Sequence, residues 1–142
     1  NMFNRVKLEQ EYLPLFEKEQ LGTTIWSPLC SGLLTGKYMD REPQGTRTSL
    51  KNYKFIKDQF ESDEYIQRHE QIRQLHSLAQ EAGLPLVNMA LGWCLKNPNV
   101  STVILGASRP EQLKQNLKTE EYMLTIDDSL MARIESILDN RP

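Results

Sequence analysis

The amino-acid sequence predicts an α/β fold. Two β-branched stretches, residues 23–26 and 100–105, stand apart with helical patterns between them. Strands joined through helical crossovers pair in parallel. Both stretches run straight into turns of small residues, Ser27-Pro28 and Gly106-Ala107-Ser108.

Residues 1–11 read as a connector. Pro14 suits the first turn of a helix, where its missing N–H has no partner to lose. Leu15 and Phe16 give that helix apolar contacts, and Gly22 fits the position just past its end. Thr23-Thr24-Ile25-Trp26 is β-branched and aromatic, the composition of a strand. Residues 27–61 then form a long polar connection holding Gly32, Gly36, Pro43 and Gly45 with Lys37, Arg41, Arg47, Lys51 and Lys54. A loop of that length is functional or disordered.

Ser62 is the expected cap of the next helix, with Asp63 and Glu64 in its first turn at the positive end of the dipole. Ile66, Ile72, Leu75, Leu78, Ala79 and Ala82 trace its apolar face, and Gly83 closes it. Pro85 opens another helix. Leu86, Met89, Ala90, Trp93 and Cys94 stand at i, i+3, i+4, i+7 and i+8, one apolar stripe. Residues 100–105 are near-continuously apolar, as in a strand covered on both faces. Pro110 starts a helix through Leu117. Thr125 caps the last one, with Asp127 and Asp128 in its first turn and Leu130, Met131, Ile134, Ile137 and Leu138 on its face. Two strands make a poor sheet. The sequence therefore implies missing neighbours, most simply an N-terminal half carrying the other strands.

Composition narrows the class. The chain has 142 residues, 39% hydrophobic and 25% charged, which is globular. A net charge of −2 favours neither nucleic acid nor an acidic membrane surface. No apolar run reaches the roughly 18 residues of a membrane helix. No leader is visible, though Asn1 is not an initiator methionine. Cys30 and Cys94 lack CxxC spacing, so no metal cluster is expected, and two unpaired thiols fit a reducing cytoplasm. His69 and His76 lie two turns apart on one helix, with nothing to complete a metal site.

Chemistry is expected at the two strand ends. In α/β sheets ligands bind beyond the carboxyl ends of strands. At residues 106–110, backbone N–H groups opening a helix favour an anion. Gly106 permits close approach, Ser108 adds a hydroxyl and Arg109 can fork onto a phosphate. The plainer alternative is a tight strand-to-helix turn capped by Ser108 or Arg109. Likewise Lys37 and Arg47 read equally as solvated charges, and Trp26 as core. Four features coincide at one class of position: indole, hydroxyl, basic loop and helix start.

The segments Trp26-Ser27-Pro28-Leu29, Gly32-Leu33-Leu34-Thr35-Gly36-Lys37-Tyr38 and Gly106-Ala107-Ser108-Arg109-Pro110-Glu111-Gln112-Leu113, with Asn116, resemble the C-terminal half of the aldo-keto reductases. Asn1-Met2-Phe3-Asn4-Arg5 resembles the stretch after the sixth barrel strand. Residues 52–58 and 90–95 are similar to the potassium-channel β-subunit branch. The resemblance covers the whole chain as one C-terminal half-domain without internal boundary. It implies part of a (β/α)8 barrel and an NADP coenzyme. Trp26 would stack on the nicotinamide. Ser27, Pro28, Leu29, Ser31 and Lys37 would cradle the pyrophosphate, with Cys30 and Gly32 in the same loop. Arg47 would fold over the coenzyme. Gly106, Ser108, Arg109 and Gln112 would hold the 2′-phosphate, and Gln115 and Asn116 would meet the adenine. The branch often carries Glu at the position of Gln115.

The family's catalytic Asp, Tyr, Lys and His have no match in this chain, which alone is expected to be inactive and to expose an apolar edge. The resemblance implies a whole protein that reduces aldehydes or ketones, the tyrosine giving a proton as hydride arrives from the nicotinamide. The alternative it implies is a redox-sensing channel subunit, tetrameric, with a membrane channel as partner.

Overall fold

The computed structural model describes residues 1–39, 45–49 and 51–142, with Arg47 and Glu64 followed along the backbone alone. Arg41 and Pro43 of the long connection lie outside the described residues.

The opening segment is not a plain connector. A wide helical turn over Lys7–Glu11, closed by Tyr12 N–H to the Lys7 carbonyl, runs into α1 (Leu13–Glu19). Gln20, in the left-handed region at φ 53°, ends α1, the position expected for Gly22. Gly22 serves a different need: a Cβ there would run into the Ser101 side chain across the sheet.

β1 (Thr23–Ile25) pairs in parallel with β2 (Val100–Val103), matching Ile25 to Val103. Ile25 and Val103 pack against the core from one face. The other face is open, with Thr24, Ser101 and Thr102 exposed and Ile104 beyond the strand 52% exposed. Two-sided burial of residues 100–105 is therefore not seen in this chain, because the sheet has two strands among the described residues and α4 covers one side.

The connection after β1 is more structured than its composition suggests. It contains tight turns at Cys30–Thr35, Arg47–Ser49 and Lys51–Tyr53, then α2 (Lys54–Phe60). Leu33, Leu34, Ile56 and Phe60 are buried. Ile56 and Phe60 stand four apart and so share one helix face.

α3 (Asp63–Glu81) and α4 (Leu86–Leu95) form the centre. Ser62 stands at the cap of α3, but its hydroxyl donates back to the Gln59 carbonyl rather than capping forward. Ile66 is 59% exposed, while Tyr65 takes the buried place at 2%. A one-residue step rotates a helix by about 100°, so the two cannot share the core. Met89, Ala90, Trp93 and Cys94 are all buried, as the stripe requires.

α5 (Pro110–Leu117) follows β2, and α6 (Asp128–Leu138) packs on α3. Asp127, not Thr125, caps α6: its carboxylate accepts from Leu130 N–H at 2.8 Å. Ile126 between them is fully buried.

Cys94 lies 2% exposed in the core. Burial pushes its thiol up to about 11. The raised value belongs to the folded state. Its contribution to stability is full below the ordinary thiol pKa and is lost as pH climbs from 9.0 to about 11. The folded protein should therefore leave Cys94 unreacted with a thiol reagent at pH 8 while the denatured protein reacts fully. Equal labelling rates in the two states would refute this.

Candidate functional site

The parallel register decides where the two turns go. Ile104 N–H donates to the Ile25 carbonyl at 2.8 Å, one step past the paired residues. Trp26 and residues 105–106 therefore leave neighbouring strands at the same carboxyl end. Trp26 is 78% exposed there, so its indole is not part of the core.

The turn after Trp26 is built from unfavourable backbone. Ser27, Cys30 and Ser31 have φ of 52°, 49° and 56°, and Gly32 has 98°. Side-chain-bearing residues in this region cost about 1 kcal/mol or more each, and such residues gather at ligand clamps. The neighbours hold the turn in place. Asn1 Nδ2 donates to the Ser27 carbonyl at 3.0 Å, Cys30 N–H to the same carbonyl at 3.0 Å and Ser31 N–H to Ser27 Oγ at 3.3 Å. Pro28 is buried, Leu29 is half-buried against the core and Cys30 is buried beside the Tyr65 hydroxyl. Ser31 stays half-exposed.

Gly32 makes room for Lys37. A Cβ on Gly32 would sit 3.0 Å from Lys37 Cε and Nζ, so the lysine stem crosses directly over it. Lys37 Nζ also lies 4.9 Å from the centroid of the Tyr38 ring. The ammonium is thus held on the strained turn although the residue is exposed. Arg47 opens the turn Arg47–Ser49, and its side chain lies outside the described atoms.

At the second turn, residues 106–110 are all exposed. Arg109 is the extended residue before α5 and makes no capping bond with its side chain. Gln112 reaches back instead: its Oε1 accepts from Ser108 N–H at 2.8 Å and from Ser108 Oγ at 3.1 Å. Further along α5, Gln115 is tied inward to Asn88, and Asn116 is 5% exposed.

The register thus sends two turns from the same end of the sheet: that of Trp26, Ser27, Pro28, Leu29, Cys30, Ser31 and Gly32, with Lys37 lying over Gly32, and that of Gly106, Ser108 and Arg109, with Gln112 bonded back to Ser108. The two turns supply at least two cations, several hydroxyls and a helix start. Phosphate is the ligand chemistry such a set suits. A cleft of about 130 Å³ lined by Tyr38, Thr48, Lys57, Phe60, Glu61 and His69 lies under the long connection and shares none of these residues. No group of three or more His, Cys, Asp or Glu among the described residues could hold a metal ion.

Sequence reading missed the roles of Asn1, Arg5 and Asn88. Arg5 is 6% exposed and bonds to Glu9, Glu135 and Asn140. Nothing in the local pattern of a polar opening segment signals a buried arginine.

A model of the aldo/keto reductase family matches residues 1–139. The chain belongs to the aldo/keto reductase family. Over its whole length, this aldo/keto reductase chain is 38% identical to a probable voltage-gated potassium channel subunit beta of Arabidopsis thaliana, covering 43% of that protein. A probable voltage-gated potassium channel subunit beta of Oryza sativa is 37% identical with 43% covered. A putative one of Schizosaccharomyces pombe is 39% identical with 41% covered. The chain spans about two-fifths of the length of these curated relatives, within their C-terminal half. The aldo/keto reductase fold is a (β/α)8 barrel, with which the parallel pair and its helical crossover are consistent.

Proposed function

We propose that the chain is the coenzyme-binding C-terminal half of an NADP-dependent oxidoreductase that reduces aldehydes or ketones. In this reading β1 and β2 are the last two strands of the barrel, and residues 1–142 form one half-domain. The open face of the two-stranded sheet and exposed Ile104 support it, since both need covering by further strands. The observation that carries the reading is the shared sheet end of the strained turn and the α5 start.

The residues present fit the coenzyme. Gly32 leaves the space that Lys37 occupies over the turn, placing a cation where a pyrophosphate would lie on Ser27, Pro28, Leu29, Cys30 and Ser31. Arg47 would close over it. Gly106, Ser108, Arg109 and Gln112 would receive the 2′-phosphate, and Gln115 and Asn116 the adenine end. Exposed Trp26 would lie against the nicotinamide and exclude water from one ring face. The bound coenzyme supplies a hydride. The proton donor and its Asp, Lys and His partners are expected outside this chain, so the chain alone is expected to be inactive. No described helix is long and apolar enough to cross a membrane. We place the protein in the cytoplasm, with a small carbonyl substrate and no nucleic-acid partner.

A second reading is a regulatory, redox-sensing subunit of a potassium channel, with a tetrameric assembly. The names of the relatives favour it. One experiment separates the two. NADPH is titrated into the full-length protein while tryptophan fluorescence is followed, and NADPH consumption is then measured with a panel of aldehydes and ketones. Saturable quenching with turnover supports the reductase. Quenching without turnover supports the regulatory subunit. Absence of saturable binding overturns both.

A further inference from the structure

Asn88 is fully buried on α4, an unfavourable place for a side chain that competes for backbone hydrogen bonds. All of its polar atoms are engaged. Nδ2 donates to the Gln115 carbonyl at 2.8 Å and to Thr119 Oγ1 at 2.9 Å, and Oδ1 accepts from Gln115 Nε2 at 2.6 Å. Thr119 Oγ1 donates in turn to the Asn116 carbonyl at 2.7 Å.

These bonds have one consistent direction. A hydroxyl has a single proton. That of Thr119 goes to the Asn116 carbonyl, so Thr119 Oγ1 meets Asn88 as an acceptor. The Gln115 carbonyl is an acceptor too. Asn88 must point its NH₂ at both, which leaves its oxygen toward the Gln115 side chain. Gln115 must then offer Nε2. Its Oε1 is left without a partner among the described residues. Reversing either amide would set like groups face to face in a buried site, at the full cost of unsatisfied polar atoms.

We infer that Asn88 is a positioning residue that makes Gln115 present a carbonyl oxygen, and so selects a bound base carrying an amino donor. The inference rests on the coenzyme reading above, which brings the adenosine end along α5. Gln112, Gln115 and Asn116 stand three and four apart and share one face of that helix. The exocyclic amine of adenine matches Oε1. Hypoxanthine carries an oxygen at that position and meets Oε1 acceptor to acceptor.

The test uses the full-length protein with NADPH and its hypoxanthine counterpart, both titrated by fluorescence. The hypoxanthine form is expected to bind about tenfold more weakly. In Asn88→Leu, Gln115 is free to turn either end outward, and the ratio should fall toward unity. A purely structural role would weaken both ligands alike and leave the ratio intact, which overturns the inference. A second measurement does not depend on that variant folding. In the unliganded protein, the Gln115 side-chain NH₂ should exchange with solvent far more slowly than that of exposed Gln74, and equal rates overturn the inference. Equal affinity for the two bases overturns it alone. Failure to bind either ligand overturns the coenzyme reading with it.

Discussion

Arg5→Ala in the full-length protein is expected to destabilise the fold by about 3–5 kcal/mol, the cost of stranding buried charge. The Arg5 side chain is 5% exposed and lies 2.7 Å from both Glu9 Oε2 and Glu135 Oε2. Its guanidinium also stacks over Trp93 at 5.0 Å, while Trp93 Nε1 donates to the second oxygen of Glu135 at 2.9 Å. Burial alone would lower the Arg5 pKa, but hydrogen bonds and charge from Glu9 and Glu135 lift it above its ordinary value. Alanine would leave both carboxylates without this cation, and Glu135 would keep the Trp93 indole N–H. Glu9 and Glu135 keep 18% and 26% side-chain exposure, so some rehydration is available and the loss should fall near the lower bound. Urea denaturation reads it directly. Arg5→Lys should recover only part, because a single ammonium cannot serve Glu9, Glu135 and Asn140 in one plane. An unchanged midpoint for the alanine variant would show that the network contributes nothing.

Arg109→Leu should weaken NADPH binding by roughly 10- to 100-fold, the worth of a charge-assisted bond to phosphate. NADH, which lacks the 2′-phosphate, should bind almost as before. Because the Arg109 side chain makes no capping bond, the substitution removes a charge without removing a helix cap. The thermal midpoint should barely move. Titration with both coenzymes gives the answer. Parallel losses for NADPH and NADH would mean that Arg109 acts on the fold or on a shared part of the ligand, and the 2′-phosphate assignment would fail.

How much of this was legible in the sequence depended on whether side-chain chemistry named a unique place. The α4 stripe was readable because Met89, Ala90, Trp93 and Cys94 are uniformly apolar at helical spacing. Tyr65 does not announce itself as the buried residue beside Ile66, since its polar tip hides a largely apolar ring. α2 is hard to see in the sequence because Phe55, Ile56 and Phe60 stand among lysines and polar residues, and only the last two are buried. Thr125 and Asp127 are both good caps by residue type, and the Asp127 carboxylate is the one that takes a first-turn N–H, that of Leu130. At the candidate site, the glycine- and proline-marked turns were visible from composition. The supports of those turns were not. Asn1 reaches Ser27 across 26 residues, and Asn88 reaches Gln115 across 27. Partnerships at that separation leave no local pattern.

The left-handed backbone at Ser27, Cys30, Ser31 and Gly32 has a consequence for how the molecule breathes. Its shape is held by Asn1, by the burial of Pro28 and by the sheet, and the local sequence would relax to something else if released. Segments held in this way open before the elements that hold them. Amide protons of Ser27 and of residues 29–32 should therefore be among the first to trade with solvent, well ahead of those in α3 and α4. A dinucleotide gripping that segment would act as a clasp on the least secure part of the fold.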